Sequence, residues 1–302
     1  LQEHASVPPP PRIRLINGSR ENTLKSKNAG GEDVDWSKAV DWKNFRIFDL
    51  SQPTSWRAPP FMWYPPFKVS WLKTLGEHGV RAQYIESSLH FGTHFDGQMH
   101  FMTGGKDIAS LPLQNYLVGD GVILDIGPYV GDYDIYTPET FKKAAKEGNV
   151  EINRGDIVVV RTGYHHYAWC GDKPDEVRYM IKHPGPDVRF AKWCIEMKFK
   201  WLAVDAISQD HPLNTVVRKA RADLVEEAEK KWGEKIDKMM PWPENYQVMH
   251  VLLFPHLIQH AENLGGEIDE AANRRGIIGA FPFKFEDGET AFARIVAFLS
   301  AK

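Results

Sequence analysis

The sequence predicts a mixed α/β (α+β) fold, and three observations predict it. Continuous apolar runs at 121–126, 157–161 and 201–205 have the length of buried strands. Helical segments with start signals lie between them, at Thr137-Pro138-Glu139 and at Asp187. Further strand patterns fill the tail, so helices and strands alternate first and strands finish the chain.

Taken in order, residues 1–45 read as an extended N-terminal arm. They are Pro-rich from Pro8 to Pro11, then rich in Gly, Asn and Lys, with Trp36, Val40 and Trp42 as anchors for the later part. Residues 46–302 read as a single domain, since no internal repeat and no Ser/Gly linker interrupts them. Arg46–Leu50 has a short strand pattern. Ser51–Phe67 then carries five prolines and five aromatics without periodicity. Prolines restrict such a loop and aromatics give it flat apolar surface. It fits the wall of a pocket for a planar or cyclic ligand, and equally a loop packed on the core or on another subunit.

Val80–Leu89 alternates like a strand and leads into the stretch discussed below, after which Gly104-Gly105 turns the chain. The helix from Thr137 ends near Gly148, and the one capped by Asp187 runs to about Lys198. Residues 216–240 form a charged helical insertion, with Leu224, Val225, Ala228 and Trp232 on its inner face. Met249–Leu264 is apolar but holds His250, His256, His260 and Glu262. Phe281–Phe285 and Phe292–Leu299 read as closing strands.

Composition excludes several classes. A net charge of −3 with dispersed basic residues gives no electrostatic basis for a nucleic-acid or anionic-membrane partner. The cysteines, Cys170 and Cys194, form neither a CxxC pair nor a disulfide framework; a pocket-lining place stays open for Cys170. No apolar run approaches the roughly 20 residues of a membrane span. A cytoplasmic location is the expectation, with the start at Leu1 consistent with a trimmed or processed N-terminus.

The chemistry concentrates in His90-Phe91-Gly92-Thr93-His94-Phe95-Asp96-Gly97-Gln98-Met99-His100. In an extended backbone alternate side chains share a face. His90, His94, Asp96 and His100 then converge, and Phe91, Phe95, Met99 and Phe101 pack the other way. A helix also places His90 and His94 together, but Gly92 and Gly97 disfavour it. Imidazole nitrogens with a carboxylate oxygen suit Zn²⁺, Mn²⁺ or Fe²⁺. The sulfur-free set argues against a structural zinc knot, and three protein ligands leave coordination positions open. Such an ion acidifies water and polarises a carbonyl, which equips a site to hydrolyse an amide, imide or ester. His100 reads as the group that moves the proton, or else as a fourth ligand or a support for the others. No Gly-x-Ser-x-Gly elbow, His-Glu-x-x-His, dinucleotide fingerprint or P-loop is present.

His-x-Gly-Thr-His-x-Asp-x-x-x-His resembles the signature of the metal-dependent cyclase-like hydrolases, of the isatin hydrolase, bacterial kynurenine formamidase and γ-lactamase type. Gly97-Gln98 stands where that family usually has Ala-Pro. From about residue 46 onward, Asp49-Leu50-Ser51-Gln52-Pro53, Val159–Gly163, Val204–Ser208 and Phe281–Lys284 resemble family segments in the family's order. The resemblance implies a swivelling β/β/α fold, a β-barrel-like core with surrounding helices. It implies His90, His94 and Asp96 as metal ligands and His100 as proton donor and acceptor. It also implies His250 and Glu262 for a second ion, with His256 and His260 as rivals for the place of His250. Phe61 and Trp63, with Trp56 and Ser208, are the implied substrate contacts, and a homodimer or homotetramer the implied assembly. The expected activity is a Zn- or Mn-dependent opening of a cyclic amide, imide, lactam or lactone, as in isatin hydrolase. The alternatives are an arylformamidase acting on N-formylkynurenine and a metal-binding scaffold without catalysis.

Overall fold

The computed structural model describes residues 25–27, 33–35 and 44–301. The chain divides into two compact units, Leu1–Asn44 and Phe45–Lys302. In the first, Lys25–Lys27 pairs antiparallel with Asp33–Asp35. The expected anchors Trp36, Val40 and Trp42, and most of the expected arm, lie outside the described residues.

The second unit is built on eight strands: β1 (Phe45–Asp49), β2 (His94–Asp96), β3 (Val118–Asp125), β4 (Ile157–Arg161), β5 (Trp201–Val204), β6 (Gln259–Glu262), β7 (Arg274–Pro282) and β8 (Thr290–Ser300). Seven of them close on themselves in the order β7-β3-β4-β5-β6-β2-β8, because β8 pairs back onto β7. β1 joins the same edge of β8 as β2, further along. Strands β3 to β6 run parallel, and the remaining pairings are antiparallel. This is the expected barrel-like α/β architecture. Among the described residues, no helix is long and apolar enough to cross a membrane.

Period-two alternation divides the core. Ile157 and Val159 join Phe95, Trp201, Ala203, Ala261 and Ile295 in one cluster inside the closed sheet. Val158 and Val160 join Leu202 and Val204 on the other face, under α1 (Pro138–Glu147) and α2 (Val188–Met197). A strand buried on both faces reads as an unbroken apolar run, which is why β4 was visible as Val-Val-Val. α1 starts at the expected Thr137 N-cap, which forms a capping box with Thr140, and the Asp187 carboxylate accepts the first free N–H groups of α2. α3 (Ala222–Trp232) carries the insertion, burying Leu224 and Ala228.

Two expectations change in the tail and loops. The first closing strand starts at Arg274 and ends at Pro282, whereas Phe283–Phe285 lie in the connection to β8. The alternating segment near 80–89 contributes Ala82–Glu86, paired with Lys68–Lys73 in a separate exposed hairpin, not a core strand.

A buried carboxylate fixes the ends of β4 and β5. Asp205 accepts hydrogen bonds from Thr162 N (2.7 Å), Thr162 Oγ1 (2.6 Å), Gly163 N (2.8 Å) and His165 Nδ1 (2.7 Å). Burial alone would raise its pKa, but the bonds from His165 and Thr162 outweigh burial and hold it below the usual carboxylate range. A depressed folded pKa contributes stability above the unfolded value that is lost as pH falls through the folded one. Asp205→Ala is therefore expected to cost about 3 kcal/mol at neutral pH, since it orphans several buried donors. Urea titrations should show this deficit shrinking once the pH drops below the ordinary carboxylate range.

Candidate metal centre

The site forms on the outer face of the β2–β6 pair. The register sets Asp96 opposite His260 and Glu262 opposite His94, with Phe95 opposite Ala261 between them. Side chains on directly opposed residues lie on one face and about 4.5–5.5 Å apart at Cβ. Phe95 and Ala261 point into the barrel core, so the four polar residues are gathered on the other side. On its far edge β2 pairs with β8, which sets Thr290 beside Asp96.

Only His94 and Asp96 owe their shared orientation to strand parity. His90 precedes the strand and reaches the site around Gly92, whose φ is +61°, a conformation open mainly to glycine. His100 follows it in a short 3-10 turn, Gln98–His100. The expectation of one extended run from 90 to 100 is thus corrected, although its four polar side chains do meet.

Asp96 divides its carboxylate. Oδ1 lies 3.0 Å from His90 Nδ1, 3.4 Å from His94 Nε2 and 2.9 Å from the Thr290 hydroxyl. Oδ2 lies 3.3 Å from His260 Nε2 and 3.7 Å from His250 Nε2. Glu262 closes the group, with Oε2 3.6 Å from His94 Nε2 and Oε1 3.4 Å from His260 Nε2. Three of these side chains are oriented from behind. His94 Nδ1 donates to Gly92 O (2.8 Å), His250 Nδ1 to Asp210 Oδ2 (2.6 Å), and Glu262 Oε1 accepts from Gln209 N (2.7 Å). With each Nδ1 proton engaged, Nε2 of His94 and His250 is left as the donor atom for an ion.

Electrostatics agree with a cation site. Burial pushes the Asp96 pKa up, but the charges of His90 and His94 outweigh it and hold it well below the carboxylate range. Burial and the neighbouring Asp96 raise that of Glu262. His90 is carried against its burial to about 10 by Asp96 and Glu289, and His250 likewise to about 10 by Asp210 and Asp96. His94 and His260 move down, His260 to about 4, through burial and then through a neighbouring imidazolium in each case. His94 Nε2 and Asp96 Oδ2 are buried without a hydrogen bond. Buried unpaired polar atoms are costly, and a divalent ion among two carboxylates and several imidazoles satisfies them. The residues present fit such an ion.

The cluster opens on a small cavity lined by Phe61, Tyr64, His100, Ser208 and Asn263 among others. Of the implied substrate contacts, Phe61 and Ser208 line this cavity. The Ser208 hydroxyl sits 3.1 Å from Glu262 Oε1. Trp63 and Trp56 do not line this cavity. Both are 69% exposed, and Trp56 borders a separate groove with Trp71 and Phe283. Tyr64 stands instead beside His90, ring centroids 5.6 Å apart. His256 is exposed on a short turn away from the cluster.

Glu289 escaped the sequence reading. Its Oε2 lies 2.9 Å from His100 Nδ1 and 2.8 Å from His90 Nε2. Burial would raise its pKa, but those two histidines bring it down to about 2. Its backbone approaches closely at Gly97, which donates to Glu289 O (2.8 Å). A Cβ at 97 would lie only 2.8 Å from that oxygen, so the Gly97-Gln98 departure is tied to the placement of Glu289. Gln98 in turn donates to Phe254 O and accepts from Lys106 N. His260 was seen only as a rival of His250, yet both are present. The signal was available, for His260-Ala261-Glu262 repeats the His-x-acid pattern of His94-Phe95-Asp96.

A family model described as "Putative cyclase" matches residues 48–211, more than half of the chain. A kynurenine formamidase of Bordetella avium is 32% identical over 132 residues, 42% of this chain and 57% of that protein. One of Bacillus mycoides is 28% identical over 170 residues, 56% of this chain and 72% of that protein. The match thus spans little more than half of the Bordetella avium relative. In three dimensions, isatin hydrolase A from Ralstonia solanacearum superposes with a TM-score of 0.69 at 21% identity, covering 87% of this chain and 95% of that one. An isatin hydrolase bound to the product analogue thioisatinate gives 0.67 at 18% identity, covering 88% and 96%.

Proposed function

The chain belongs to the cyclase family, and on that premise we propose that it is a divalent-metal hydrolase that opens a cyclic amide, imide, lactam or lactone. The observation that carries this reading is the pair of buried atoms without a hydrogen bond, His94 Nε2 and Asp96 Oδ2, in a cluster whose His94 lines a cavity together with Phe61 and Tyr64. His90, His94 and Asp96 would hold the ion, and their nitrogen and oxygen donors suit Zn²⁺ or Mn²⁺. Bound there, a divalent ion supplies acidified water and polarisation of a carbonyl oxygen.

The remaining work falls to the chain. Glu289 accepts the Nδ1 proton of His100, which fixes the tautomer and leaves Nε2 to exchange protons with a bound substrate. His100 takes the proton of the attacking water and returns it to the leaving nitrogen or oxygen. Phe61 and Tyr64 offer flat faces to a ring. We assign the exposed Trp56 and Trp63, with the apolar hairpin at 68–86, to contacts with a second copy in a homodimer or homotetramer.

Turnover of isatin, a bicyclic γ-lactam, a dienelactone and N-formylkynurenine under identical Zn²⁺ or Mn²⁺ loading tests the proposal. Preference for a ring substrate supports it. Preference for N-formylkynurenine selects the formamidase reading, the activity for which the Bordetella avium and Bacillus mycoides relatives are named. No turnover on any of them by metal-replete protein leaves a metal-binding scaffold.

Two further outcomes are expected. Glu289→Gln should lower kcat by about 10- to 100-fold, the usual cost of losing an orienting partner, while elemental analysis finds wild-type metal content. Chelation should lower Tm by roughly 5–10 °C, because an ion at 100 times its Kd stabilises by about 2.7 kcal/mol. Calorimetry with and without chelator measures this.

A further inference from the structure

Another pair of histidines lies outside the cavity, where β4 ends. His165 and His166 stand in the 3-10 turn Tyr164–Tyr167 that follows Gly163. Asp269 faces them from the short helix Ile268–Ala271 that precedes β7. None of the three lines the cavity at His100. His165 Nε2 is 3.2 Å from Asp269 Oδ1, and His166 Nε2 is 3.3 Å from Asp269 Oδ2. The ligand atoms of all three lie within 4.8 Å of one another.

The partners behind the rings decide what those nitrogens do. His165 Nδ1 is 2.7 Å from Asp205 Oδ2, and His166 Nδ1 is 2.7 Å from Asp172 Oδ1. An ionised carboxylate only accepts, so each Nδ1 carries a proton and each neutral ring turns the Nε2 lone pair toward Asp269. Arg161 agrees with this at His166, since a guanidinium only donates and its Nη2 lies 3.5 Å from Nε2. Lone pairs this close to carboxylate oxygens need either a second proton on each ring or one cation shared among them. Two protons would set two charged imidazoles with centroids 4.2 Å apart, where like charges oppose each other. His165 is only 9% exposed, which adds the cost of burying such a charge. One shared cation avoids both penalties. Asp125, Asp172, Asp205 and Asp269 bring four carboxylates to the group, and Arg161, bonded to Asp125 and Asp269, offsets one of them.

We propose that His165, His166 and Asp269 form a site for one divalent transition-metal ion, held by two imidazole nitrogens and a carboxylate oxygen. The site is separate from the Asp96 centre and does not depend on the metal-hydrolase reading. Ligands about 2.0–2.1 Å from a tetrahedral ion lie roughly 3.3–3.4 Å apart, close to the spacing of each imidazole from Asp269. Carboxylates behind Nδ1 are the usual support of a ligating histidine. The donors suit Zn²⁺ and, more strongly, Cu²⁺. The side chains of His166 and Asp269 are 29% and 44% exposed, so the ion enters from solvent and keeps water in its remaining positions. It ties the turn after β4 to the segment leading into β7. An ion so open to solvent leaves on dialysis, and metal retained through dialysis counts the Asp96 centre alone.

The test is calorimetric titration of the whole chain with Zn²⁺, after Zn²⁺ loading and dialysis have filled the Asp96 centre. Wild type is expected to take up one further ion per chain. His166→Gln should weaken that ion at least about 100-fold, and Asp172→Asn, which removes only the carboxylate behind His166, about 10- to 100-fold. Turnover should stay at the wild-type level in both, as neither residue lines the cavity. With Cu²⁺ as the further ion, electron paramagnetic resonance should show splitting by two imidazole nitrogens in wild type and by one in His166→Gln. Circular dichroism is the folding control. No further ion in wild type overturns the proposal, as does unchanged affinity in His166→Gln. Should His166→Gln not fold, unchanged affinity in Asp172→Asn overturns it, because that side chain is 62% exposed and packs little. Wild type that holds a single ion in all, weakened by His166→Gln, supports this site and defeats the metal-hydrolase reading instead.

Discussion

Replacing Asp96 by alanine is expected to abolish metal retention and to lower turnover by at least about 10³-fold. Asp96 is the residue shared by the two groups built at the β2–β6 pair, with one oxygen toward His90 and His94 and the other toward His250 and His260. Lewis-acid stabilisation is worth several kcal/mol, and each 1.36 kcal/mol is a factor of ten. Loss of the carboxylate also leaves the His90 and His250 imidazoles, both raised to about 10, without the charge that helped to raise them. Metal content and kcat of a variant whose circular dichroism matches wild type would check this. A metal-replete, active Asp96→Ala protein would remove the basis of the proposed function.

His100→Ala is expected to separate binding from chemistry. His100 contributes to the cavity wall and contacts Glu289, and it belongs to neither ligand group built on Asp96. The variant should hold wild-type metal and lose about 10²- to 10⁴-fold in kcat, the range assigned to a positioned acid or base. KM should move little, because the ring contacts at Phe61 and Tyr64 are untouched. Added imidazole should recover part of the lost rate. Full activity without His100 would dismiss it from proton transfer, and loss of metal would make it a ligand.

The strands that sequence disclosed best were those whose pattern is imposed locally. β3, β4 and β5 are buried on both faces, so each shows as an apolar run. Helices α1 and α2 announce themselves through caps that depend on neighbouring residues only. The eleven-residue stretch was legible as chemistry because its histidines and aspartate are close in sequence. Its conformation was not, since a bend at Gly92 and a turn at Gln98–His100 replace a continuous strand. Glu289 and His260 were invisible in their roles for a different reason. The pairings of β6 and β8 with β2 bring His260 to Asp96 and Glu289 to His90 and His100, each more than 150 residues apart in the chain. Tyr64 and Trp63 are adjacent in sequence, and only the loop's path decides which of them stands at the cavity.

The placement of β2 between β6 and β8 governs when the site can exist. The strand is only three residues long, and its neighbours on both edges come late in the sequence. Pairings of such long range form late, after the loop-closure entropy has been met. A growing chain that has reached Glu262 still lacks Thr290, whose hydroxyl holds Asp96. A chain that stops short of residue 290 would therefore lack one of the contacts that orient Asp96. The geometry proposed to hold an ion thus depends on the closure of the whole ring of strands, and not on the eleven-residue stretch alone.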